Sequence, residues 1–456
     1  MKAAVLGGGG FRTPVVWDCL AGLAGDAEVE EVVLHDLGAQ RLERIAAVIE
    51  GLRRERDGSG PPVRTTTVLE DALEGSGVVT CAIRVGGLEG RIVDETVPLR
   101  MGVLGQETVG PGGISFALRT VPVMTAIAEA TARVAPEAWF LNFTNPAGLV
   151  TEAIRPILGD RAVGICDSPT ALCGRVAAAL GLPMEDLRFD YSGCNHLGWL
   201  VGVHADGGDL LPGLLADAGR LTRVEEARLF GARALRESGM IPNEYLVYYE
   251  GPGEVVEAFR RAGATRGQVL WSQQSAFFAG SPGETPGEAL ASWRATRDAR
   301  HGTYMAEAWS ATEVVVPGGQ GSPPPVDGPG EAGYAAIAAS FLRAAGSDSG
   351  ETLILDVANR GRLSFLDDDA VVEVPCVVGR AGPSVIEGAA LAGRERGLVA
   401  RVKEVERLTI RAATDGSRAT ALEAIAAHPV VPSREVAERI LAGYLDGHAD
   451  LRARLR

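Results

Sequence analysis

Lysine is almost absent from this chain: of 44 basic residues, only Lys2 and Lys403 are lysines. Lys2 opens an apolar strand and Lys403 lies in a charged helical stretch, so Schiff-base chemistry, pyridoxal phosphate and the P-loop lysine have no suitable place. Any bound phosphate must be held by arginine, backbone N–H groups or a helix N-terminus. Cysteine is scarce too. Cys19, Cys81, Cys166, Cys173, Cys194 and Cys376 are scattered and never form a CxxC pair, which excludes a disulfide framework and a zinc ribbon and fits a reducing cytoplasm. No run reaches the roughly 18 uninterrupted apolar residues of a membrane span. The apolar start, MKAAVL, is cut short by glycines, so neither signal peptide nor anchor is expected. Basic charge is in deficit, with 59 acidic residues and a net charge of −15, which argues against nucleic acid or an anionic membrane as partner.

What is present is enough apolar material, 46% of 456 residues, for a large core, and at about 150 residues per domain the length predicts two or three domains. KAAVL at residues 2 to 6 is a short strand ending in four glycines, and a helix is expected from Thr13-Pro14, where proline suits a first turn. EEVVLHDL reads as a second strand closed by Asp36, and residues 40–53 as an amphipathic helix. Strand, glycine turn, helix, strand, acid is the order of a Rossmann-type βαβ unit. GVVTCAI, AWFLNFT and RAVGIC look like further buried strands. The alternation predicts an α/β fold with a doubly wound parallel sheet over residues 1–166. Residues 167–456 read as a second, mixed α/β domain: a helix near 169–182, a strand-like run around FDYSGCNHLGWLVGV, helical segments, the strands TLILDVAN and AVVEVPCVV, and two late helical stretches. The proline- and glycine-rich residues 314–333 are expected to form a loop or flap within it.

Glycines 7 to 10 let backbone approach a pyrophosphate, and the helix that follows offers its positive dipole end. The third glycine of GxGxxG is missing, its place falling on Arg12 or Thr13. Asp36 would accept a ribose 2′-OH and repel a 2′-phosphate, favouring NAD over NADP, while Arg41 argues the other way. Cys166, in GICDSP, ends an apolar strand at the carboxyl edge where parallel sheets place their sites, and Asp167 follows it. His196 lies thirty residues on, in CNHLGW. Burial would explain either residue alone; together they are candidate metal ligands, and by softness they point to zinc, iron or nickel. Asn145, held extended before Pro146, projects an amide at another strand end. Arg84 and Arg91 are either solvated or anion-binding, and GQETVGPGG places Glu107 in a nest-like loop. Tyr245, Tyr248 and Tyr249 cluster in IPNEYLVYYE, where packing and acid–base roles are both open.

Taken in order, VLGGGGFRTP, IRVGG, PLRMGVLGQETVGPGGISFALRTVPV, NFTNPAG, GICDSP, NHLGW, IPNEYLVYYE, VVEVP and AAHPVVPS resemble the NAD-dependent glycoside hydrolases of family four, over about residues 3–435. These are the 6-phospho-glucosidases and their α-galactosidase relatives. The resemblance implies a lactate/malate-dehydrogenase-like fold and hydrolysis by redox-assisted elimination instead of the two-carboxylate route. The implied steps are NAD-mediated oxidation at C3 of the sugar, removal of the C2 proton, loss of the aglycone, water addition and re-reduction. It also implies NAD on glycines 7 to 10 (Gly7, Gly8, Gly9, Gly10) and Asp36, and a divalent metal, manganese, on Cys166 and His196. Tyr245 would be the C2 base, with Tyr248 as the alternative. Asn145 would contact substrate, and Arg91 and Arg266 (ATRGQV) would hold the 6-phosphate. The implied partners are a phosphorylated disaccharide or glucoside and further copies of the chain, as a dimer or tetramer, with 314–333 as lid or interface.

Two positions depart from the family pattern. Asp167 stands where members acting on β-linked substrates often carry Asn, and it resembles the general acid of 6-phospho-α-glucosidases. Cys194 replaces a usual leucine. The expected activity is that of a 6-phospho-β-glucosidase, the commonest among such sequences, followed by a 6-phospho-α-glucosidase or α-galactosidase-type enzyme. An NAD-dependent hydroxy-acid or sugar dehydrogenase comes next, and a silent NAD- or sugar-phosphate-binding regulator last. The Cys166–His196 pair separates glycosidase from hydroxy-acid dehydrogenase, which needs a catalytic histidine and a carboxylate-binding arginine instead of a thiolate metal site.

Overall fold

The computed structural model describes residues 1–280, 283–301, 333–347 and 349–456. Six strands, β1 (Lys2–Leu6), β2 (Glu31–His35), β3 (Val63–Thr66), β4 (Ser76–Cys81), β5 (Trp139–Asn142) and β6 (Ala162–Gly164), run parallel in the spatial order 3-2-1-4-5-6. That is the doubly wound order of dinucleotide-binding sheets. The sheet does not stop there. Beside β6 it turns antiparallel and continues through β11 (Glu351–Ala358), β12 (Val371–Gly379), β7 (Arg188–Cys194), β8 (Leu197–Ala205) and β10 (Ile241–Pro242). The short strands β9 (Gly208–Asp209) and β13 (Gly382–Val385) pair with β8 and β12.

Successive side chains of a strand point to opposite faces, and here both faces are covered. Along β1, Ala3 and Val5 join one hydrophobic cluster while Ala4 and Leu6 join the other, and β2 divides Val32 and Leu34 from Val33 in the same way. A strand buried on both sides needs no polar alternation, which is why these segments read as continuous apolar runs. The strand β3, VRTT, lacks that signature because it lies at the sheet edge with mostly partly exposed side chains.

The helices Thr13–Leu20, Ala39–Glu55 and Ser168–Leu180 form where expected. The run around FDYSGCNHLGWLVGV resolves into the hairpin β7–β8, and the late helical region into four helices instead of two: Gly393–Asp415, Arg418–Ala427, Arg434–Gly447 and Ala449–Arg454. The segment 314–333 lies outside the described residues except for Gly333. Among the described residues no helix is long and apolar enough to cross a membrane.

A buried ion pair ties the C-terminal helices to the rest. Arg119 donates to both oxygens of Asp94 at 2.9 and 2.7 Å, and His448 Nε2 lies 2.9 Å from Asp94 Oδ1. Burial would raise the Asp94 carboxyl, but hydrogen bonds from His448 and Arg119 more than offset this and hold it below the usual range. Its stabilisation is therefore present above the unfolded carboxylate pKa and is lost as pH falls through the lower folded value. Arg119→Leu, which strands the buried carboxylate, is expected to cost about 3–5 kcal/mol in urea unfolding at pH 7.

Candidate active site

The turn after β1 can be built only from glycine. Gly7 has φ +79°, a Cβ on Gly8 would sit 2.7 Å from Leu34 Cβ, and one on Gly10 would sit 2.8 Å from the Gly7 carbonyl oxygen. The helix Thr13–Leu20 opens beyond this turn with no side-chain cap, leaving its positive end toward the space a pyrophosphate would take. Asp36 is pinned beside it, accepting from Gly9 N at 3.1 Å and from Gly38 N at 3.3 Å. Arg41 is stacked on Phe278, 3.6 Å from guanidinium carbon to ring centroid.

His196 occupies the β7–β8 turn with φ +60°, a left-handed conformation uncommon for a side chain of its size. Its ring lies flat on Tyr245, 3.8 Å between centroids and 7° between planes, and Tyr248 meets Tyr245 edge-on at 5.9 Å. Burial lowers the His196 imidazole to about 4, with Glu107 opposing, so at neutral pH the ring offers a lone pair. Cys166 follows β6; burial, then Glu373, Asp167 and Asp356, push its thiol well up. Glu373 acts on Cys166 and accepts a hydrogen bond from Asn195, the residue before His196. A divalent cation fits this donor set, because it would offset the carboxylates that hold the proton on the thiol. Among the described residues no cluster of three or more His, Cys, Asp and Glu side chains could hold a metal. Two protein ligands would therefore leave the rest of the shell to substrate and water.

Asn145 is joined to Pro146 by a cis peptide bond immediately before the helix Ala147–Leu158. Asp167 starts the helix Ser168–Leu180, and its carboxyl abuts Gly333, where a Cβ would come within 2.5 Å of Asp167 Oδ2. Arg91 pairs with Glu95 at 2.7 Å and with Glu107 at 2.8 Å, and Arg84 also pairs with Glu107. Burial would raise the Glu107 carboxyl, but Arg84 and Arg91 hold it below the usual range. Arg266 opens the helix Arg266–Ala279 behind a Thr265 capping box, and its Nη2 donates to the Arg300 carbonyl at 3.1 Å. Cys194, the unusual residue before Asn195, is a buried core thiol.

Two residues of this region escaped the sequence reading. Arg300 is pushed down to about 9 by burial and, in lesser measure, by Arg12, Arg266 and Arg91, with Tyr334 opposing. Nothing in WRATRDARH distinguishes this arginine from its solvated neighbours. Glu244, next to Tyr245, is raised to about 8 by burial, with Arg175 opposing. It accepts from Ser168 at 3.2 Å and from Arg175 at 3.1 Å, tying the Asp167 segment to the Tyr245 segment.

Residues 2–182 match the model of the family 4 glycosyl hydrolases, and residues 191–431 match the model of that family's C-terminal domain. The chain is a family 4 glycosyl hydrolase. This family 4 enzyme is 32% identical over 470 residues to a 6-phospho-alpha-glucosidase of Leptotrichia buccalis, an alignment covering 98% of this chain and 97% of that one. It is 30% identical over 461 residues to a probable 6-phospho-beta-glucosidase of Bacillus subtilis, covering 98% and 96%. The 6-phospho-beta glucosidase of Thermotoga maritima, solved with NAD and glucose-6-phosphate, superposes with a TM-score of 0.81 at 25% identity over 99% of both chains. That enzyme has also been solved with manganese, NAD+ and glucose-6-phosphate. The glycosidase expectation and the α/β fold hold for this family 4 member, and the dehydrogenase and silent-regulator readings give way to them.

Proposed function

We propose that this glycosidase hydrolyses glucosides phosphorylated at C6, with NAD and a divalent metal, Mn2+, as its cofactors. The observation that carries the reading is the gathering of arginines beside the His196–Tyr245 stack: Arg84 and Arg91 both pair with Glu107, and Arg266 Nη2 donates to the Arg300 carbonyl at 3.1 Å. A phosphate monoester accepts bidentate arginine well.

Glycines 7 to 10 and Asp36 would hold NAD, and Cys166 and His196 would hold the metal. When bound, the two groups supply reversible hydride transfer at C3 and polarisation of the C2 and C3 oxygens. The chain's own residues do the rest. Arg91 and Arg266, with Arg300, hold the 6-phosphate, Asn145 orients the sugar, and Tyr245 takes the C2 proton while its ring rests on His196. We read residues 1–166 as the NAD-binding domain and 167–456 as the substrate and metal domain, supported by the switch from parallel to antiparallel pairing after β6. A cytoplasmic setting, supported by six free thiols, and assembly as a dimer or tetramer complete the reading.

A β-glucoside is the first reading. An α-glucoside is favoured by one specific observation, the Asp167 carboxyl directly after Cys166, which would serve to protonate a departing oxygen. Release of p-nitrophenol from the two anomers of p-nitrophenyl glucoside 6-phosphate, with NAD+ and Mn2+ each added or omitted, tests both. Turnover is expected only with both cofactors, and the faster anomer decides the linkage. Turnover without NAD+ would overturn the reading. Arg300→Ala is expected to raise KM for the phosphorylated substrate roughly tenfold, the loss of about 1.5 kcal/mol of charged hydrogen bonding, with kcat little changed.

A further inference from the structure

Gly164, Asp356, Glu373 and Gly193 form one row across β6, β11, β12 and β7, each directly opposite the next. Side chains so paired share a face of the sheet. Gly164 leaves room for Asp356, since a Cβ there would lie 2.7 Å from Asp356 Cβ, while Gly193 is required by the β8 backbone, its Cβ falling 2.3 Å from the Leu197 carbonyl oxygen. Asp356 and Glu373 are 0% and 1% exposed. Buried carboxyls in mid-sheet are costly unless hydrogen-bonded; neither Asp356 oxygen has a hydrogen-bond partner among the described residues, whereas Glu373 does.

Glu373 binds in two directions. Its Oε1 accepts from Asn195 Nδ2 at 3.3 Å, and Asn195 Oδ1 accepts from the Ala147 amide at 3.1 Å, two residues beyond Asn145. Its Oε2 accepts from the Tyr191 hydroxyl at 3.2 Å; that oxygen accepts from Asn243 Nδ2 at 3.3 Å, and Asn243 Oδ1 accepts from the Tyr245 amide at 3.0 Å. Tyr191, Asn195 and Asn243 are all buried. Asn195 is also the residue before His196. One carboxyl group thus connects the segments that carry Asn145, His196 and Tyr245, which come from three separate parts of the chain.

We propose that Glu373 is a positioning residue of the family 4 reaction with two arms: through Asn195 it sets His196 and the Asn145 segment, and through Tyr191 and Asn243 it sets Tyr245. This rests on the metal and base roles proposed above for His196 and Tyr245. Supporting residues of this kind typically change metal affinity 10- to 100-fold when removed, and misplacing a reacting group by about 1 Å costs about 100-fold in rate.

Two readouts separate the arms: Mn2+ affinity of the NAD-loaded enzyme without sugar, from the electron paramagnetic resonance of free Mn2+, and exchange of the C2 proton of glucose 6-phosphate in D2O. Glu373→Ala cuts both arms, and Mn2+ Kd is expected to rise roughly tenfold while exchange slows roughly 100-fold. Glu373→Gln keeps an acceptor for Asn195 and the side-chain length but puts an N–H donor where the Tyr191 hydroxyl donates, so Mn2+ Kd should stay within about threefold of the parent while exchange slows about tenfold, about one hydrogen bond's worth. Tyr191→Phe deletes one hydroxyl at constant packing, so exchange is expected to slow about tenfold, about one hydrogen bond's worth, with Mn2+ Kd unchanged. His196→Ala and Tyr245→Phe check the reading beneath: unchanged Mn2+ affinity in the first or unchanged exchange in the second would show that the assigned roles are wrong, whatever Glu373 does. With those controls behaving, the proposal is overturned if Glu373→Gln is as impaired as Glu373→Ala. It is equally overturned if Tyr191→Phe moves both readouts together or neither. The Gln and Phe variants preserve core volume, so the test stands even where the alanine variant does not fold.

Discussion

Tyr245→Phe is expected to lower kcat about a thousandfold and leave KM nearly unchanged, within the 10²–10⁴ that a positioned acid–base group contributes. The substitution removes only the hydroxyl. The ring that lies 3.8 Å from His196 stays, so the stack and the packing against Tyr248 survive, and the loss reports proton transfer alone. With the C2 position deuterated, the slow step of the variant should show a primary isotope effect. Tyr248 is the control, because it stands edge-on to Tyr245 and is buried. If Tyr248→Phe lost the activity and Tyr245→Phe kept it, the base would have to be reassigned.

Arg266→Ala is expected to raise KM for p-nitrophenyl glucoside 6-phosphate roughly hundredfold, equivalent to about 3 kcal/mol of charge-assisted bonding. For the unphosphorylated glucoside the change should be under about threefold, since no phosphate contact is there to lose. An equal effect on both substrates would sink the phosphate assignment. Arg266 is a cleaner probe than Arg91. Removing Arg91 would strand Glu95, which is 1% exposed, and Glu107 would lose a partner as well, so structural damage would be mixed with loss of binding.

Much of the parallel half was legible because burial on both faces writes itself as unbroken apolar runs, and because Cys166 and Asn145 close such runs where parallel sheets gather their sites. The β7–β8 hairpin was not legible as two strands. Its turn falls on Asn195-His196, and His196 takes a left-handed conformation without the Asn-Gly or Gly-Gly signal that announces such turns. Arg300 was invisible because its role comes from helix packing, and no local pattern marks it. Asp356 and Glu373 did carry a signal: each is a single acid inside an otherwise apolar strand, in TLILDVAN and VVEVP. Read as strands alone, those segments gave up their fold but not the reason for the acid.

A ladder that runs through the described residues from β3 to β10 places the nucleotide turn and the hairpin bearing His196 on one continuous slab. Parting the two halves would break the pairing of β6 with β11 and wet apolar surface, which opposes a jaw-like swing of one half against the other. Whatever motion paces turnover is therefore expected in the segments around the sheet and not in the sheet itself.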